Sequence, residues 1–174
     1  MTFKFDNVYI KDIDIVVGQN EKKGPLGSYF KNSYQDFYFE EKTWEQAESK
    51  IAFETIRNLL NRNQVDLLIG GDLLNQLTAT SFAARNFKIP FLGIYNACAT
   101  SNEGIVLASS FIDKKLANNI IVNVSSHNNA AEKQFRYPVE YGGPKPQLTT
   151  FTVTGSVGVV LSNEKSKIKV EVVP

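Results

Sequence analysis

Phe91-Leu92-Gly93-Ile94-Tyr95-Asn96-Ala97-Cys98-Ala99-Thr100-Ser101 leads from an apolar, strand-like run through the only cysteine of the chain toward an apolar, helix-like run over about Gly104 to Leu116. A thiol at that junction meets the unpaired N–H groups and positive dipole end of a helix start, which favour its thiolate. Thr100 followed by Glu103 fits a capping box and strengthens the helix start. A single cysteine is also, commonly, a small inert buried hydrophobe, and position alone leaves both readings open.

Working outward, the same strand, turn and helix order recurs. Gln64 to Gly70 reads as a buried strand that ends in Gly70-Gly71-Asp72, before a helix over about Asn75 to Asn86. Asn119 to Val124 reads as another buried strand, followed by Ser125-Ser126-His127-Asn128 and one or two helical turns over Ala130 to Phe135. Upstream, Val8 to Val17 is a β-branched strand ending at Gly18, with Lys11, Asp12 and Asp14 toward solvent. Thr43 and Gln46 form a second capping box ahead of Trp44, Ala47, Ile51, Ile56, Leu59 and Leu60, the clearest amphipathic helix, ending near Asn61. The helix after Cys98 is apolar nearly all round, which predicts burial on both sides.

Between these lies Gly24 to Lys42, with Tyr29, Phe30, Tyr34, Phe37, Tyr38 and Phe39 lacking clean periodicity; they cover either the domain's own core or an interface. Tyr141-Gly142-Gly143-Pro144-Lys145-Pro146 is a loop by composition. Val153 to Leu161, followed by Ile168, Val170 and Val172 alternating with charges, predicts an antiparallel hairpin at a sheet edge. Alternating strands and helices predict an α/β fold, a mainly parallel sheet with helices on both faces, because parallel strands need crossover connections. Residues 1–174 form one domain in this reading.

Composition narrows the function classes. Nineteen basic and eighteen acidic residues leave a net charge of +1, which gives no field for nucleic acid and no polybasic membrane face. One cysteine and one histidine exclude a disulfide framework and the usual four-ligand zinc site, and fit a reducing compartment. Nothing resembles a signal peptide or membrane span. No nucleotide fingerprint or metalloprotease helix occurs, and no cofactor is called for.

Ligands of such sheets bind beyond the carboxyl ends of the strands. Asp72, Cys98 and His127 each follow a strand and are predicted to share one rim, with Arg136 and Lys145 as the nearest cations. Asp72 has two readings, a ligand contact or the N-cap of the Asn75 helix. A Cys98–His127 pair would need hydrogen-bond reach to serve acyl transfer, with Cys98 as nucleophile and His127 as base.

Several stretches in order carry a resemblance: Lys23-Gly24-Pro25-Leu26-Gly27, Gly71-Asp72-Leu73-Leu74-Asn75-Gln76, Ile89-Pro90-Phe91-Leu92, Ala97-Cys98-Ala99-Thr100-Ser101, Ser125-Ser126-His127-Asn128, Gln134-Phe135-Arg136-Tyr137-Pro138, Glu140-Tyr141-Gly142-Gly143 and Val153-Thr154-Gly155-Ser156. In these the chain resembles the stage V sporulation protein AD family, thiolase-like proteins of endospore formers. The resemblance implies a thiolase-like half domain, and a pocket reused to bind dipicolinic acid, as its calcium chelate, for uptake into the developing spore. It places Asp72, Cys98 and His127 in that pocket. Because the Asp72 carboxylate would repel a dianion unless it serves only as a cap, a calcium-bridged contact is expected there. It also implies a place at the periphery of the inner spore membrane among other stage V sporulation A membrane proteins. Thiolase-like proteins carry the nucleophilic cysteine in a first half and catalytic histidines in a second. This chain resembles the first half, so binding is expected over acyl transfer, together with self-association or pairing with a second half domain.

Overall fold

The computed structural model describes residues 3–74, 77–135 and 151–173. Its elements in chain order are β1 (Phe3–Lys4), β2 (Tyr9–Val17), α1 (Gln19–Lys23), β3 (Asn32–Ser33), α2 (Trp44–Leu60), β4 (Leu67–Asp72), α3 (Thr78–Ala84), β5 (Phe91–Gly93), α4 (Thr100–Asp113), β6 (Asn119–Ser126), α5 (Asn128–Phe135), β7 (Gly155–Ser162), β8 (Ile168–Lys169) and β9 (Val172–Val173). The main sheet has the order β3-β2-β7-β6-β4-β5, and β8 also pairs with β2. β4 is parallel to β5 and β6, whereas β7 is antiparallel to both β2 and β6. The predicted α/β class and helix-covered, largely parallel sheet are therefore present.

The C-terminal antiparallel strand has a different place from the one expected. β7 lies inside the sheet, and β8 joins the far side of β2, so the two flank β2 instead of pairing with each other. β7 carries Val160 and Leu161, both fully buried, one toward each layer of helices. A strand that feeds two cores belongs in the middle of a sheet.

Alternation along the central strands builds those cores. Leu68, Ile121 and Val160 pack with Ala52, Ile56 and Leu59 of α2 and with Ala83 and Ala84 at the end of α3. Ile69, Ile120, Val122 and Leu161 face the opposite layer and meet Ala108 and Ile112 of α4. Each such side chain contributes about 1.5–3 kcal/mol by leaving water. α4 buries one face, Thr100, Gly104, Ala108, Ser109 and Ile112, while Ile105, Val106, Leu107 and Phe111 stay half-buried, so the predicted burial on both sides is not reached within this chain.

The aromatic segment divides its residues. Phe39 is fully buried against Val16, Ala47 and Ile51, and Tyr34 tilts against it with ring centroids 4.7 Å apart. The Tyr34 hydroxyl donates to Glu54. Tyr38 stacks on Trp44, while Tyr29 stays largely exposed. The loop predicted around Tyr141 to Pro146 lies outside the described residues.

Candidate functional site

The strand register brings several residues to one rim. Asp72 pairs with Ser125, Ser125 with Ser156, and Ser126 and Val17 both with Gly155. Beyond this rim, the chain leaves β5, takes a 3-10 turn over Ala97–Ala99 and enters α4 at Thr100, four residues earlier than predicted. The Thr100 hydroxyl accepts from the Asn96 N–H at 3.0 Å and donates to the Ala97 carbonyl at 2.8 Å. That hydroxyl pins the turn, so it does not serve the Thr100–Glu103 capping box expected from the sequence. Ala97 has a φ of 44°, in the left-handed region, where an L-residue costs roughly 1–2 kcal/mol. Strain beside Cys98, held by a threonine clasp, marks the turn as a place the fold maintains at some cost.

Cys98 is exposed and lines a cavity of about 300 Å³. Its walls include Ile15, Val17, Val124, Val153 and Val157, with Phe30, Glu21, Gly71 and the first α4 residues Thr100 and Ser101. Cys98 also borders a second cavity of about 320 Å³ with Tyr95 and Phe135. A larger groove of about 570 Å³ lies over α2 and α3, but none of Asp72, Cys98 and His127 lines it.

Asp72 borders the Cys98 cavity, yet its carboxylate is committed elsewhere. One oxygen accepts from the Leu74 N–H at 3.0 Å and the other from the Thr80 N–H at 2.6 Å, in the first turn of α3. Asp72 is 2% exposed. Burial pushes its pKa above the ordinary value, against the lowering pull of those N–H groups. The geometry is that of a cap reaching α3 from the end of β4, and it favours the capping reading over the calcium contact. Asp72→Asn is expected to lower stability by about 1–2 kcal/mol, because an amide group turns one of the two acceptors into a donor facing an N–H. Denaturant unfolding would measure this, and an unchanged midpoint would remove the cap assignment.

His127 is fully buried and is not among the residues lining the cavity. Its Nε2–H donates to the Phe37 carbonyl at 2.7 Å, and its ring meets Phe39 edge-on at 5.9 Å. Burial lowers its pKa and keeps it neutral. It therefore fastens the aromatic segment to the end of β6, and the structure does not bring it together with Cys98. Arg136, expected at the rim, lies outside the described residues, as does Lys145.

Glu48, not selected from the sequence, sits fully buried in α2 and accepts from the Ser125 hydroxyl at 3.0 Å; its other oxygen has no partner among the described residues. Burial first, and then the nearby Asp72 charge, push its pKa up to about 8. Its position was readable: Glu48 falls three and four residues before Ile51 and Ala52, on the apolar face of α2, where a carboxylate is out of place. Glu21 was missed because nothing in its local pattern sets it apart from a surface helix residue.

Among the described residues, no group of three or more His, Cys, Asp or Glu is placed to hold a metal ion, and no helix is long and apolar enough to cross a membrane.

Comparison with known proteins matches this architecture. OleA from Xanthomonas campestris has the same fold: one crystal structure aligns with a TM-score of 0.57 at 16% identity, over 92% of this chain and 59% of that one. A cerulenin-bound OleA aligns with a TM-score of 0.58 at 15% identity, over 92% and 58%. These set the fold as thiolase-like. Stage V sporulation protein AD of Bacillus subtilis (strain 168) is 41% identical over 175 residues, covering 97% of this chain, which spans 52% of that relative's length. Residues 1–174 match the family described as Stage V sporulation protein AD, and the chain belongs to that sporulation family.

Proposed function

We propose that the cavity beside Cys98 binds dipicolinic acid, as its calcium chelate, for uptake into the developing spore. The observation that carries this reading is that one cavity is lined together by Cys98, the start of α4, Phe30 and a set of valines. Dipicolinate is a flat aromatic dianion. Apolar walls suit its heterocycle, and the positive dipole end of a 14-residue helix suits a carboxylate. A volume of about 300 Å³ is at the small end of ligand sites, in keeping with a small ligand. Membership of the sporulation family supports the same reading. The partners that go with it are other stage V sporulation A membrane proteins, and a second copy or a second half domain, at the periphery of the inner spore membrane.

Acyl transfer through Cys98 is the competing reading, since the thiol is exposed at a helix start. The base expected from the sequence is not beside the thiol: His127 is turned to the Phe37 carbonyl and is not among the described residues that line the cavity. Titration calorimetry of the full-length protein with dipicolinate and calcium tests the binding reading. Cys98→Ala is expected to weaken binding about tenfold, equivalent to roughly 1.4 kcal/mol. Equal affinity would detach the ligand from this cavity, and a stable adduct on Cys98 after incubation with an acyl-CoA, seen by intact mass, would favour the enzyme.

A further inference from the structure

Among the described residues lining the Cys98 cavity, the ionisable side chains are those of Glu21, Asp72 and Cys98. The two carboxylates are not equivalent. Asp72 gives both oxygens to backbone N–H groups of the α3 region. Glu21, in α1, gives one oxygen to the Thr154 N–H at 3.0 Å, and its Oε2 accepts no hydrogen bond among the described residues.

Glu21 is also held in place. The Thr154 N–H fixes one oxygen, while Gly18 leaves room for the other, since a Cβ at residue 18 would lie 2.8 Å from Oε2. The Gly18 N–H in turn donates to the Thr154 carbonyl at 2.9 Å, which staples the start of α1 to the approach to β7. A preset carboxylate with one open oxygen lines the same cavity as a helix start that favours anions.

The combination repels a bare dianion on one side and attracts it on the other, unless a cation stands between the ligand and Glu21. Calcium takes six to eight oxygens, and no cluster of three ligating side chains occurs among the described residues to supply them. A chelating dicarboxylate brings most of a coordination shell with it, and one further carboxylate then adds a contact.

We propose that Glu21 is the protein ligand of a divalent cation that enters this cavity only when already held by a chelating aromatic dicarboxylate. This rests on the reading of the cavity as a dipicolinate site. It assigns to Glu21 the cation contact that the sequence had placed on Asp72.

Calorimetry on the full-length protein, with calcium alone, dipicolinate alone and both together, tests it on the parent and on Glu21→Gln. The Gln amide oxygen still accepts from Thr154, so the variant keeps its fold, which unfolding curves check. Calcium is expected to raise dipicolinate affinity about tenfold in the parent and to leave it unchanged in Glu21→Gln, which binds dipicolinate without calcium at least as tightly as the parent. Calcium alone gives no heat with either. Enhancement by calcium that persists in Glu21→Gln overturns the assignment while leaving the site reading intact. Binding of calcium alone by the parent overturns the requirement for a prior chelate. Absence of dipicolinate binding by the parent under every condition overturns the site reading and this inference together.

Discussion

Unfolding free energy is expected to fall steadily as pH rises from about 4.5 to about 8, and the Glu48→Gln variant is expected to lose most of that slope. In the unfolded chain Glu48 ionises near 4.5, whereas in the folded protein its pKa is raised to about 8. Across that interval the folded state binds the proton and the unfolded state does not, so each step up in pH favours unfolding. The stabilisation is complete below the unfolded value and gone above the folded one. The shift corresponds to roughly 4–5 kcal/mol, a large part of a domain's net stability.

The groups facing Glu48 fix this sign. Burial in α2 dominates, and Asp72 at the end of β4 and Glu45 on the same helix add like charge. The Ser125 hydroxyl and the backbone of His127 pull the other way. Asp72, also raised by burial, contributes a slope of the same sign. His127, lowered by burial, acts on the acid side, where stability is lost as pH falls through its folded value. Glu48→Gln mimics the protonated acid: it keeps the acceptor for Ser125 but buries an amide N–H₂ where the second oxygen has no partner, at a cost of about 1–3 kcal/mol. The variant is therefore less stable than the parent near the acid end of the window and more stable above it. Denaturant titrations across the range decide the matter; curves that stay parallel at every pH mean that Glu48 titrates like a surface carboxylate.

The outline of the fold was readable because the signals that set it are local. Thr43 accepts from the Gln46 N–H at 3.2 Å, the predicted start of α2, and alternation along β4 and β6 sends neighbouring residues to opposite cores. What misled was glycine. Gly70-Gly71 reads as a strand end, yet both residues sit inside β4; Gly104 reads as a helix boundary, yet it lies within α4, where an added Cβ would come 2.5 Å from Val122 Cγ1. In β7, Gly158 makes room for Leu59 in the same way, at 2.5 Å. A glycine kept for close approach and a glycine kept for a turn look alike in one sequence. The candidate site was legible as a rim and illegible as a set of side-chain directions. Asp72, Cys98 and His127 do end neighbouring segments, but Asp72 turns to α3 and His127 to the aromatic segment. Those choices depend on backbone N–H and C=O groups brought in from distant residues, which no local pattern encodes.

Gly71→Ala is expected to be the most disruptive one-methyl change near the cavity, with a loss of about 3 kcal/mol. A Cβ at residue 71 would stand 2.1 Å from the Ile94 carbonyl oxygen and 2.8 Å from Thr100 Cγ2. The first neighbour is backbone and cannot rotate away. Ile94 is itself tied to the strand by its N–H, which donates to the Gly70 carbonyl at 3.0 Å, so the methyl must part β4 from the chain leaving β5. The second neighbour is the residue whose hydroxyl clasps the Asn96–Ala97 turn. Displacing Thr100 therefore releases the strained Ala97 and moves Cys98, and Cys98 should become more reactive toward a small thiol reagent as the clasp loosens. Gly104→Ala separates this effect from crowding in general. Its added methyl meets side chains, Val122 Cγ1 at 2.5 Å and Ile94 Cδ1 at 3.3 Å, which must shift but are not backbone, and alanine gains up to about 1 kcal/mol of helix propensity, so the loss is smaller than at Gly71. Urea unfolding of the two variants, with thiol labelling of Cys98 in each, checks both parts. A Gly71→Ala loss no larger than that of Gly104→Ala would mean that β4 and β5 can part at little cost, and that the Cys98 turn is not braced by the strand beneath it.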